Sequence, residues 1–142
     1  MSDIPRTPVG WDELLGIEYL ETTPTRVRAR VEIGPQHHQP YGIVHGGVYC
    51  SIVEAVASYG AGAAAIARGQ RGIVGVANST DFLRSNSEGV LIAEAEPIHV
   101  GRNMHLWAVT IRREAGGTLV ARGQVRFHVL DELPAERKAH GR

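Results

Sequence analysis

The chain holds one cysteine in 142 residues, Cys50, and no excess of either charge. A single thiol excludes an internal disulfide framework and a cysteine-based zinc site. Fifteen acidic and fifteen basic residues cancel, which removes the net attraction that a dedicated nucleic-acid or membrane-surface binder uses. Residues 1–5 lack the basic start and apolar run of a signal peptide, so the cytoplasm is the expected compartment. No stretch reads as a membrane span: residues 61–67 are rich in Gly and Ala and continue a segment carrying Glu54 and Ser58. Internal repeats and low-complexity tracts are absent too. What is present, 43% hydrophobic and 21% charged residues, suits one soluble domain over residues 1–142.

Taken in order, Pro5, Pro8 and Gly10 predict a loosely held arm over 1–10, then a short helical turn over 11–15 in which Trp11 and Leu15 cap the core. Alternation follows. Ile17, Tyr19, Val27, Ala29, Val31 and Ile33 oppose Arg26, Arg28, Arg30 and Glu32 across a turn at 23–25, the pattern of a half-buried hairpin. Gly34 and Pro35 end it, and a polar loop over 36–44 leads to a helix over about 47–67 that closes near Arg68 and Gly69. Four strands are predicted next, at 73–83, 90–100, 104–113 and 119–130, with turns at 85–89, 101–103 and 114–117. Polar Asn78, Ser79 and Thr80 interrupt the first, while the last alternates most clearly. A charged tail over 131–142 completes the chain. The sum is an α+β domain, an antiparallel sheet of about six strands wrapped around one long helix, which is the shape of the hotdog fold.

Chemistry concentrates where the loop meets the helix. The run Gln39-Pro40-Tyr41-Gly42-Ile43-Val44-His45-Gly46-Gly47 ends in small residues whose N–H groups, at a helix N-terminus, suit a developing oxyanion. The helix reads as fully buried, and between 46 and 67 its only charged residue is Glu54, a costly group in apolar surroundings unless paired or used. Cys50, Glu54 and Ser58 recur every four residues and share a face, so Ser58 can help position a water near Glu54. Gly46 lies eight residues before Glu54, about 12 Å along a helix at roughly 1.5 Å per residue. The two can act on one carbonyl carbon only if two copies of the helix lie antiparallel across a two-fold axis, so a dimer is expected.

With Glu54 nine residues after His45 and Ser58 four after Glu54, the chain resembles the hotdog acyl-CoA thioesterases. Within them it is most similar to the PaaI-like branch that holds glutamate-dependent 4-hydroxybenzoyl-CoA thioesterase and 1,4-dihydroxy-2-naphthoyl-CoA hydrolase. The likeness continues through Val74-Gly75-Val76, Phe82-Leu83-Arg84-Ser85 and Pro97-Ile98-His99-Val100-Gly101. It implies hydrolysis of an aromatic or medium-chain acyl-CoA thioester to free acid and CoA, without metal or redox cofactor, by a homodimer as minimum unit and a homotetramer as the expected assembly. Glu54 would be the catalytic carboxylate, attacking through a mixed anhydride or activating water. The Gly46 N–H would polarise the carbonyl, His45 and Gln39 would orient substrate and water, and Ser58 would hold the hydrolytic water. Arg84, Ser85, Gly101 and Arg102 match loops that contact the CoA arm, and Gly75 would line the acyl pocket. Phe82 stands where near relatives carry a His, and Arg102 replaces a residue often small.

The residues alone leave plainer roles open. Glu54 can be structural, which requires an interior arginine partner; His45 can be a helix-start histidine bonded to backbone. His37, His38 and His45 are a weak metal set, with no Cys or acid close by, and Cys50 lacks an evident activating base. Two other functions fit the same fold: a non-catalytic acyl-CoA sensor, and an enoyl-thioester hydratase, which needs an Asp/His pair in place of a lone helical Glu.

Overall fold

The structure, a computed structural model, describes residues 7–132. The expected arm and tail lie outside these residues except at 7–10 and 131–132. The element order is helix α1 (Gly10–Leu15), strands β1 (Ile17–Thr23) and β2 (Arg26–Ile33), helix α2 (Gly46–Ala67), then β3 (Gly72–Phe82), β4 (Gly89–Val100), β5 (Met104–Arg113) and β6 (Leu119–Leu130). A short 3-10 turn, Pro35–His37, sits in the predicted loop before α2. Six strands form one antiparallel sheet in the order β1-β2-β4-β5-β6-β3. The α+β hotdog architecture is therefore as expected, while the strand order puts β3 beside the last strand of the chain and not beside β4.

Alternation explains which face of the sheet meets α2. In β2 and β6 every second residue is buried, including Val27, Ala29 and Val31 on one and Val125 and Phe127 on the other. At roughly 25 cal/mol per Å² of apolar area, these side chains and the apolar face of α2 supply the main drive for folding. Gly60 sets the closeness of that contact, because a Cβ there would overlap the Trp107 ring. The helix ends where Gly69 turns left-handed, with φ of 74°, and Gln70 N–H reaches back 2.8 Å to the Ala65 carbonyl.

Two expectations need correction. The helix α2 is not buried all round: the sheet wraps one side, and Cys50, Ser51, Glu54, Ser58 and Tyr59 remain only half-buried on the other. Trp11 does not cap the core. Leu15 is buried, but Trp11 is 57% exposed and its indole N–H donates to Ser51 Oγ at 2.8 Å, pinning α1 over the uncovered side of α2.

The uncovered side of α2 adjoins the edge strand β3, where Val74 and Val76 are 45% and 59% exposed. An edge with free backbone groups and apolar side chains is a template for pairing. By length and composition α2 could cross a membrane, but its packing against the sheet makes it a core helix.

Candidate active site

Two depressions flank α2, one at each group that the sequence marks. The first, about 370 Å³, surrounds Glu54 and is lined by Trp11, Asp12, Cys50, Ser58, Tyr59 and Asn78 among others. Burial pushes the Asp12 carboxyl above its ordinary value. The second, about 270 Å³, contains Gln39, Gly46, Tyr49, Phe82, Arg84 and Ser85. The structure thus brings Cys50, Glu54 and Ser58 together, and Gln39, Gly46, Phe82, Arg84 and Ser85 together, in separate places. Gly101 and Arg102 stand elsewhere, at the β4–β5 turn, where their carbonyls accept from Gln70 Nε2 at 3.1 and 3.3 Å, beyond the C-terminal end of α2.

Glu54 has no cationic partner among the described residues. Its Oε1 accepts a hydrogen bond from Asn78 Nδ2 at 3.3 Å. The arginine required by a purely structural role is not there; the described ion pairs join Arg26, Arg28 and Arg30 to Glu18, Glu21 and Glu94 on the sheet surface. Gly75, from β3, explains how the carboxylate fits: a Cβ there would overlap Glu54 Oε2. Gly75 therefore touches the carboxylate itself.

At the helix start, His45 is the N-cap and its Nδ1 accepts from the Gly47 N–H at 2.8 Å. That bond fixes the tautomer, since a nitrogen that accepts carries no proton, and leaves Nε2 as the donor. It also removes Gly47 as an oxyanion donor, correcting that half of the expectation. Among the described residues nothing accepts from the Gly46 N–H, which stays available beneath the Phe82 ring; a Cβ on Gly46 would overlap that ring. Phe82 in turn meets Tyr49, with ring centroids 5.9 Å apart. The Gln39 amide oxygen accepts from Tyr41 N–H, closing the turn that precedes the helix.

The other histidines of the loop are structural. His37 is buried, accepts from Gly34 N–H at 3.0 Å through Nδ1 and donates through Nε2 to the Leu15 carbonyl at 2.7 Å. His38 Nε2 bonds the Ser87 carbonyl at 2.7 Å. Each ring is committed to a different stretch of backbone, and among the described residues no three His, Cys, Asp or Glu side chains gather as a metal site. The sequence missed Trp11, Asp12 and Asn78 as neighbours of Glu54. Only Asn78 left a signal, as a polar break in an apolar strand.

The sheet wrapped on one core helix defines the class, a hotdog-fold protein, and comparison with known proteins makes it a thioester hydrolase. The Thioesterase superfamily matches residues 41–120, and the chain belongs to it. Rv1847/MT1895 of Mycobacterium tuberculosis is 44% identical over 127 residues, 89% of this chain and 90% of that protein. Its solved structure superposes with a TM-score of 0.84 over 89% of this chain and 100% of the other. The 1,4-dihydroxy-2-naphthoyl-CoA thioesterase 2 of Arabidopsis thaliana is 36% identical over 100 residues, 70% of this chain and 62% of that protein. The 1,4-dihydroxy-2-naphthoyl-CoA hydrolase of Listeria monocytogenes is 31% identical over 106 residues, 75% and 85% respectively.

Proposed function

We propose that the protein hydrolyses an aromatic acyl-CoA thioester to the free acid and CoA, at a site built from Glu54 of one subunit and the Gly46 N–H of another. The observation that carries this is the Glu54 carboxylate, set in a cavity without a cation and held by an amide. A half-buried carboxylate that no cation neutralises, held by an amide beside a cavity, is available for chemistry.

The steps follow from these parts. Glu54 either attacks the thioester carbonyl carbon, giving a mixed anhydride that water then opens, or takes a proton from water that attacks the same carbon. In both cases negative charge gathers on the carbonyl oxygen, the Gly46 N–H and the α2 dipole stabilise it, and the C–S bond breaks with CoA leaving as thiolate. No cofactor is required. Ser58, four residues from Glu54 on the same depression, is suited to hold the water.

The quaternary arrangement is part of the proposal. Within one chain Gly46 and Glu54 line different depressions, and the half-buried face of α2 continues onto the exposed apolar edge of β3. A second copy related by a two-fold axis would cover both and bring each Glu54 to the other's Gly46. A homotetramer of such dimers, in the cytoplasm, is the expected form. The aromatic preference is supported by Trp11 and Tyr59 at the Glu54 depression and by the substrates in the names of the Arabidopsis and Listeria relatives.

The test is release of CoA thiol from benzoyl-, hydroxybenzoyl-, phenylacetyl- and straight-chain acyl-CoAs. Glu54→Ala, checked for folding, should lower kcat by at least about 10²-fold. An equally active variant, or binding without thiol release by the wild type, rejects this function.

A further inference from the structure

We propose that Asn78 is the positioning residue of Glu54, delivered by an extra residue in β3. Its amide is satisfied on every side. Nδ2 donates to the Cys50 carbonyl at 3.0 Å and to Glu54 Oε1 at 3.3 Å, and Oδ1 accepts from Thr80 Oγ1 at 2.7 Å. The orientation is forced, because a carbonyl and a carboxylate both only accept; turning the amide over would set three acceptors against one another. One carboxylate oxygen of Glu54 is thereby anchored. The other, Oε2, points over Gly75, where the missing side chain leaves room for it.

Backbone register makes this possible. Side chains on a regular strand alternate between faces, so residues three apart point oppositely. Gly75 and Asn78 are three apart, yet Gly75 pairs with Phe127 and Asn78 with Val125, two residues that both face the core. The shift between Gly75 and Ala77 inserts Val76 without a partner on β6 and restores both to the side of α2. The bulge presents to one carboxylate a gap that admits it and an amide that holds it.

Anchoring Oε1 fixes the direction in which Oε2 approaches a substrate, so the effect belongs in kcat and not in KM. This kinetic consequence rests on the thioesterase function above; the contact itself does not. The discriminating pair is Asn78→Ala and Asn78→Asp, each checked by thermal melting. If the amide served only to fill space or hold β3, the isosteric Asp would be the milder change. If it positions Glu54 as a donor, Asp is the worse one, because it sets an acceptor and a like charge against the carboxylate.

The expected result is a fall in kcat of about tenfold for Asn78→Ala and about a hundredfold for Asn78→Asp, with KM within about threefold of wild type. An Asp variant that retains more kcat than the Ala variant overturns the proposal. A second readout needs no turnover: the side-chain amide signal of Asn78 in nitrogen–proton correlation spectra should move on Glu54→Gln. If wild type hydrolyses no acyl-CoA, the function fails and this signal alone decides the positioning. An unmoved signal overturns it.

Discussion

At the scale of single residues, the site is shaped by side chains that are missing. Gly46 and Gly75 make room for neighbours, since a Cβ on either would displace the Phe82 ring or Glu54 Oε2. For Gly46 this gives a prediction that separates sterics from backbone chemistry. Gly46→Ala should lower kcat by about tenfold or more by driving the ring and the helix start apart. Combining it with Phe82→Ala should recover part of the loss, a positive coupling read by a double-mutant cycle of thiol-release rates. Independent losses would mean that Phe82 does not set the space above the donor. The grouping of Cys50, Glu54 and Ser58 at one depression was legible in the sequence because helical spacing reports which residues share a face, and the place of Gly46 at the start of α2 was legible from the glycines that open the helix. Asn78 showed only as a polar break in β3; its approach to Glu54 was not legible, because it depends on the bulge at Val76, which alternation does not reveal.

At the scale of elements, the turn between β4 and β5 is clamped to the end of α2. Arg68 Nη1 donates to the Val100 carbonyl at 3.2 Å, and Gln70 bonds both the turn and His105, whose Nε2 lies 3.1 Å from Gln70 Oε1. That contact makes Nε2 the protonated nitrogen and leaves Nδ1 buried without a partner among the described residues. Burial first, then the Arg68 and His99 charges, hold His105 below its ordinary value of 6.5. The sign follows from linkage. Above about 6.5 the ring is neutral folded or unfolded and stability is complete; below it the unfolded chain takes the proton first, so stability falls with pH. Melting temperatures between about pH 7 and 5 should decline less steeply for His105→Gln than for wild type. Equal slopes would remove His105 from the acid response. The elements themselves were legible to within a residue or two, since β2 and the middle of β6 alternate. Their order was not: nothing in Ile73, Val74 or Val76 says whether β3 pairs with β4 or crosses to β6.

At the scale of the whole molecule, the proposed two-subunit site predicts that two dead proteins can make a live one. Glu54→Ala lacks the carboxylate, and a bulkier Gly46→Val chain loses the space beside the donor. Refolded together, their heterodimers contain one site with Glu54 and Gly46 both intact. Thiol release should then rise well above the sum of the separate variants, to about a quarter of wild type for random pairing. No recovery on mixing would mean that Glu54 of one subunit and Gly46 of another do not share a site, and would overturn the two-subunit proposal. The strand order has a consequence for synthesis. The strand that holds Gly75 and Asn78 against Glu54 leaves the ribosome before its only described sheet partner, β6, which ends at Leu130. Until that last strand arrives, β3 has no strand to pair with, and the bulge that turns Gly75 and Asn78 toward Glu54 has no register to set it. Chain termination before Leu119 would thus leave β3 unpaired as well as removing the terminal strand, although no residue of the proposed site would have been lost.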